Sequence, residues 1–419
     1  MKSPMTICEK VLARTSGKEH VAPGEFIWAE PDLVLMYDYP GLTDEFERIM
    51  RDELNVKVRC PDKCKIFIDH LLPPSGEKEA DFHHQTRRWT AEQGIELIEN
   101  LGIGHQVAAE LGLARPGGLI VHGDMHVQPL GAFGALTISL LTDLITPYVL
   151  GKFWIEVPET IRVVLKGTFP KGVSGRDLIH YILQEFGPDG GLGAVLEFAG
   201  DGAEGMPIDD RMTLLSEIMF CGAYCGIFPA DETSLGYLRE RTGSDFSPVH
   251  SDPGAKYRKT VEIDLSALEP YVIAPSGMSD AKPVADVTGV TVQQGYIGSC
   301  ASGRLSDLEI AARILNGKKI KEGFRLYIVP SSREIMKKAI ESQALAALVE
   351  AGAFVSSPSC DYCYGKTQSL SAGERAVSTG TLNVPGRMGS TKAEIYLASA
   401  ATVAASAING AISDPRELL

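Results

Sequence analysis

The chain has no apolar run of the ~18 residues that a membrane-spanning helix needs. Its longest candidate, residues 131–141, is short and is stopped by Thr142-Asp143. It has no basic surplus. Lys and Arg number 40 against 54 Asp and Glu, a formal net charge of −14. With a pI near 5.2, nucleic acid is not expected as a partner, because phosphate binding draws on clustered Lys and Arg. Residues 1–10 mix charges early and lack the apolar core of a signal peptide. There is no low-complexity tract and no short repeat. The eight cysteines are dispersed rather than gathered into a disulfide framework. That dispersal suits a reducing compartment, so a cytoplasmic location is expected. Gly131-Ala132-Phe133-Gly134 lacks the Gly-x-Gly-x-x-Gly pattern and has no Lys-Ser/Thr after it. It reads as a close backbone approach rather than a phosphate loop.

What is present concentrates in the last third. Cys300 lies in Gly298-Ser299-Cys300-Ala301-Ser302-Gly303-Arg304, and Cys360 and Cys363 form a C-x-x-C. A lone C-x-x-C can be a redox dithiol, half of a zinc site, or chance. The second close pair, Cys60 and Cys64, runs straight into Ile66-Phe67-Ile68, which reads as a buried strand. Cys8, Cys221 and Cys225 have no ligand spacing and read as small buried hydrophobes. Three thiolates would anchor three corners of a cubic iron–sulfur cluster and leave one iron without a protein sulfur. An open iron can act as a Lewis acid, which points toward adding or removing water.

The length of 419 residues predicts two or three domains. Strands are expected at 65–69, 119–124, 160–167 and 324–330. Helices are expected at 91–101, 173–186, 306–316 and 331–351, with Ser306 and Glu309 at capping-box spacing and Gly317 as a stop. Lys318-Lys319-x-Lys321 reads as a solvated turn. Such alternation predicts an α/β architecture with mainly parallel sheets, whose ligands sit where strand ends meet glycine-rich turns. A Pro, Ser and Gly-rich shift near 250–285 suggests a boundary between an N-terminal region, 1–280, and a cysteine-bearing domain, 281–419.

Polar groups cluster where strands should end: Asp69-His70, Gly104-His105-Gln106 and Gly123-Asp124-Met125-His126. Each histidine alone is more often structural than catalytic. Together with Phe67-Ile68-Asp69-His70, Asp210-Arg211-Met212-Thr213, Ile297-Gly298-Ser299-Cys300, the Cys360/Cys363 pair and Pro385-Gly386-Arg387-Met388-Gly389, the chain resembles the aconitase superfamily. It looks most like the large subunits of 3-isopropylmalate dehydratase and homoaconitase, over nearly its whole length. The resemblance implies several α/β/α domains and a [4Fe-4S] cluster held by Cys300, Cys360 and Cys363. It implies that Asp69-His70 protonates a leaving hydroxyl and that His105 and Asp124, with His126 beside them, form a second acid–base set. It also implies that Arg387 holds a substrate carboxylate. The family's small swivelling domain has no counterpart here, so a separate small subunit is expected.

Four stretches depart from the family pattern. Asp-Ser-His becomes Asp124-Met125-His126. A glutamate aligns with Phe220, and Glu217, three residues away on a helix, would point about 60° off. An arginine aligns with Leu382. Ser-Cys-Thr-Asn becomes Ser299-Cys300-Ala301-Ser302. Met125, Phe220 and Leu382 are therefore substrate-facing candidates that have lost polarity. A pocket without a carboxylate's partner disfavours that carboxylate. The expectation is the large subunit of a hydro-lyase of altered specificity relative to 3-isopropylmalate dehydratase, for a smaller, less charged or apolar-substituted 2-hydroxy acid rather than citrate, isopropylmalate or homocitrate. The alternative is a paralogue that keeps the cluster for sensing or another reaction.

Overall fold

The structure, a computed structural model, describes residues 3–126, 128–275 and 277–419. Three sheets organise it. The first has five parallel strands in the spatial order Glu96–Glu99, Cys64–Ile68, Leu33–Tyr37, Leu119–His122 and Leu136–Ser139. The second has four parallel strands, Cys225–Ile227, Ala194–Ala199, Glu159–Lys166 and Lys259–Asp264. The third has seven strands, antiparallel only around Tyr271–Ile273 and Ala281–Pro283 and parallel elsewhere. That sheet takes in Tyr271–Ile273, upstream of residue 281, so residues 1–280 hold the first two sheets, a small antiparallel pair of Phe26–Ala29 with Phe153–Glu156, and one strand of the third. Among the described residues no helix is long and apolar enough to cross a membrane.

The strands form where apolar runs are unbroken. Leu33-Val34-Leu35-Met36-Tyr37 is buried at every position, as a central parallel strand covered on both faces must be. The expected strands at 65–69, 119–124, 160–167 and 324–330 are found within a few residues of those limits. Three helical expectations are corrected. Residues 91–101 are not a helix: Glu77–Gln93 is helical, Gly94 at φ +73° ends it, and Glu96–Glu99 pairs with the strand Cys64–Ile68. The left-handed glycine stops the helix, and the alternation that follows suits a strand. Residues 331–351 form two helices, Arg333–Glu341 and Ala344–Ala351, divided at Gln343 with φ +63°. Ser306 does not cap its helix. The helix starts at Leu305, Asp307 accepts the Arg304 N–H, and Ser306 donates to Asp209 at 2.8 Å.

Two seams hold the sheets together. A Cβ at Gly131 would lie 2.1 Å from the Gly226 carbonyl oxygen, so the chain between the first two sheets passes at backbone distance, as the sequence suggested. Gly102 at φ +133° forms a bridge with Ser332, and the Ile103 N–H donates to the Ser331 carbonyl at 2.9 Å. Arg304, fully buried, donates to Gln106 at 3.1 Å, to Thr213 at 2.9 Å and to the Cys300 carbonyl at 2.8 Å. One guanidinium thus ties all three sheet regions together.

Asp177, fully buried at the start of the helix Gly175–Phe186, makes stability depend on pH. It accepts N–H groups of Ser174 and Tyr271 at 2.9 Å each. Burial pushes its carboxyl up to about 7 against those donors. A folded-state value above the unfolded one favours folding below about pH 4, and the contribution is lost as pH rises through about 7. The loss is of the order of 3–4 kcal/mol. Urea midpoints should fall between about pH 5 and pH 8, and Asp177→Asn should flatten that fall. Equal slopes for the two proteins would refute this.

Candidate functional site

One cavity of about 440 Å³ opens between the carboxyl ends of the first and third sheets. Its first wall begins with Asp69 and His70, directly after the strand Cys64–Ile68. His70 Nδ1 lies 2.7 Å from Asp69 Oδ1, close but not aligned as a hydrogen bond. Asp69 spends its other oxygen on the Gly104 N–H at 2.7 Å. Behind them stands Asp38, fully buried, accepting the Asp69 and His70 N–H groups at 2.9 and 3.0 Å and facing His83 at 3.1 Å. Burial alone would push the His70 ring down. The Cys360 sulfur and the Asp69 and Asp38 carboxylates overrule it and hold the ring well above the ordinary histidine range.

The second set is centred on Asp124. Its Oδ1 is 3.1 Å from His126 Nδ1 and 3.7 Å from His105 Nε2, and it accepts the His126 N–H at 2.7 Å. Enclosure pushes this carboxyl up, but the two imidazoles hold it well below the ordinary carboxylate range. His122, one strand end away, hydrogen-bonds the Asp124 carbonyl through its ring, and burial pulls it down to about 3. Among the described residues, His105 and His126 each keep a buried ring nitrogen with no hydrogen-bond partner. The Tyr37 ring stacks on His105 with centroids 4.6 Å apart.

The opposite wall is made by sulfur. Cys300 follows the strand Gln294–Ile297 through Ser299, whose φ of +81° is unusual for a residue with a side chain. Such strain costs of order 1–3 kcal/mol and persists only where neighbours over-determine it. Here Ser299 donates to the Thr379 carbonyl at 2.9 Å and accepts the Ala301 N–H at 3.1 Å, while the Gly298 N–H donates to Thr379 Oγ1 at 2.9 Å. Cys360 and Cys363 lie on and just after a short turn. Its Cys360 N–H donates to the Asp69 carbonyl at 3.0 Å, and its Asp361 carboxylate accepts the Leu71 and Leu72 N–H groups at 2.8 and 2.9 Å. The cysteine turn is thus pinned to the segment of the facing sheet that carries Asp69 and His70. Burial and the other two sulfurs push the Cys300 thiol up, and burial pushes Cys360 up to about 11. Burial also opposes ionisation of Cys363, but Arg387, 3.5 Å away, and Thr381 draw it below the ordinary thiol range.

The cavity therefore gathers His70, His105, Asp124, Met125, His126, the three cysteines, Leu382 and Arg387, with Asp69 directly behind His70. Phe220 is the exception. It packs against the core on a short turn and meets the site through the His126 ring, centroids 6.2 Å apart. Glu217 is not on a helix, since that helix ends at Leu215. It is fully buried, 2.9 Å from Arg176 and 3.4 Å from His180, and so is neutralised away from the cavity. Sequence reasoning missed Tyr37 and Asp38. Their signal was available: Leu33–Tyr37 is an apolar run ended by an acid, like the run before Asp69. It also passed over Asp361, whose role depends on partners 289 and 290 residues away.

The chain matches the Aconitase family (aconitate hydratase) over residues 9–288 and 277–410. It is 38% identical to 3-isopropylmalate dehydratase large subunit 1 of Methanopyrus kandleri, and 39% identical to 3-isopropylmalate dehydratase large subunit 2 of Archaeoglobus fulgidus. Both alignments cover 99% of each chain. A solved structure, the holo-form of Thermococcus kodakaraensis aconitase X, aligns with 90% of this chain and 89% of its own at 14% identity and TM-score 0.47, too distant to add to the assignment. Full-length similarity at this level, on a fold of mostly parallel sheets, makes the chain a member of the aconitase family of hydro-lyases.

Proposed function

We propose that this chain is the large subunit of an iron–sulfur hydro-lyase that acts on a small 2-hydroxy acid. The observation that carries it is the convergence of Cys300, Cys360 and Cys363 with His70, the His105–Asp124–His126 set and Arg387 on one cavity. The donor set fits a [4Fe-4S] cluster held by those three cysteines. Three enclosed sulfurs, of which Cys300 and Cys360 are held back from ionising by burial and by their sulfur neighbours, with Arg387 the one lysine or arginine among the described residues of the wall, call for metal charge to hold them as thiolates. When bound, such a cluster supplies a Lewis-acidic iron with an open coordination position.

The rest is the work of side chains. Arg387 binds a substrate carboxylate, for which its planar fork is suited. His70, backed by Asp69 and Asp38, delivers a proton to the departing hydroxyl. Asp124 fixes the orientation of His105 and His126, whose unpaired nitrogens are free to hold or pass a proton. Met125 and Leu382 give the wall two apolar positions, which favours a substrate with an alkyl group over one with a further carboxylate. We infer that the carbon-bound proton is taken by a base on a separate small subunit.

The test is iron and sulfide content with electron paramagnetic resonance, on protein reconstituted without oxygen and then reduced by one electron with dithionite. About four irons per chain and a signal that shifts with malate, citramalate or 3-isopropylmalate is the expected result. Absence of a cluster after careful reconstitution would end this reading. Given a cluster, turnover with the small subunit should favour an alkyl-substituted monohydroxy acid over citrate, and the reverse order would refute the proposed specificity.

A further inference from the structure

Tyr37 ends the central strand of the first sheet and is 1% exposed. Its ring stacks on Phe67, centroids 5.5 Å and 17° apart, and on His105 at 4.6 Å and 24°. Its edge lies against the helix start at Gly104, where a Cβ would sit 2.5 Å from Tyr37 Cε1. Two rings and a glycine thus leave the phenol little freedom. It is also part of the cavity wall, together with His105, Asp124, Cys300 and Arg387. Its hydroxyl is buried and has no hydrogen-bond partner among the described residues.

That combination is unusual. Buried hydroxyls are nearly always bonded, and one left unpaired destabilises the fold. A phenylalanine would fill the same stack without the penalty. Nothing in the packing of the free chain uses the oxygen, yet the residue that carries it is part of the cavity wall. A phenol is protonated at physiological pH and so can donate. A 2-hydroxy acid offers mostly acceptors, and a hydrogen bond to an ionised carboxylate is among the stronger kinds. A clamped ring also gives up little freedom when ligand arrives.

We propose that the Tyr37 hydroxyl donates a hydrogen bond to an oxygen of the bound 2-hydroxy acid, as a second recognition group of this chain beside Arg387. This rests on the hydro-lyase reading for the class of ligand, and on the aromatic clamp and the unpaired hydroxyl for the role.

The test compares the reconstituted wild type with Tyr37→Phe in two ways. Calorimetric titration with malate, citramalate and 3-isopropylmalate should show binding weakened about 10- to 100-fold in Y37F for whichever acid binds the wild type. Thermal unfolding of the ligand-free proteins should show Y37F equal to the wild type or slightly more stable. Equal binding by the two proteins overturns the inference, and would mean the hydroxyl meets only water. A lower unfolding temperature for Y37F overturns it too, since the oxygen would then serve the fold. Wild-type binding of none of the three acids at millimolar concentration leaves Tyr37 without a ligand of the proposed class and also overturns it. Tyr37-dependent binding without turnover, small subunit present, sinks the hydro-lyase reading and leaves the role of Tyr37 standing.

Discussion

Cys363→Ser is expected to leave a folded chain that holds little iron and turns over at least about a thousandfold more slowly. The substitution is nearly isosteric at a site 2% exposed, so packing changes little. What changes is ionisation. Arg387 and Thr381 draw the Cys363 sulfur toward the thiolate, whereas a serine hydroxyl remains protonated under the same influence and is a poor ligand for iron–sulfur chemistry. Iron and sulfide assays read the effect directly. Cys225→Ser is the matched control, being equally conservative and fully buried but far in sequence from any cluster motif, and it should keep its iron. A full cluster in Cys363→Ser would remove this cysteine from the ligand set.

Asp124→Asn should reduce kcat by about 10²- to 10⁴-fold with a much smaller change in KM. The carboxylate stands between two imidazoles, and its charge is the counterpart of any proton they carry. An asparagine keeps an acceptor for the His126 N–H but carries no charge, and its amide can turn a donor toward His105. Orientation is largely kept and proton handling is lost. The measurement is steady-state kinetics of the reconstituted complex, with unfolding temperature as a check on the fold. Unchanged kcat would show that Asp124 only shapes the wall.

Much of this arrangement could be read from residue order, and the reasons are local. An apolar run ended by an acid marks a parallel strand and its ligand-facing tip, which is why residues 64–69 and 119–124 were legible. The same pattern at 33–38 passed unnoticed because no histidine follows it. Helix limits were misread where one backbone angle decided them, at Gly94 and Gln343. Long-range roles were out of reach. Arg304 lies inside the quoted cysteine motif, yet its partners Thr213 and Gln106 are 91 and 198 residues away. Glu217 looked like a neighbour of the site, and only packing shows that Arg176 claims it.

The turn that carries Cys360 is bonded to the backbone of Asp69, Leu71 and Leu72. The proposed sulfur ligand and the proposed proton donor are therefore one mechanical part. A change that shifts His70 drags the cysteine turn with it, and damage to the cysteine turn reaches His70 by the same three hydrogen bonds. Variation on this side of the cavity is penalised twice. Met125 and Leu382 stand outside that linkage, with side chains that make no hydrogen bond, so under the proposed function a lineage can retune its choice of acid there without touching the groups proposed to break the bond.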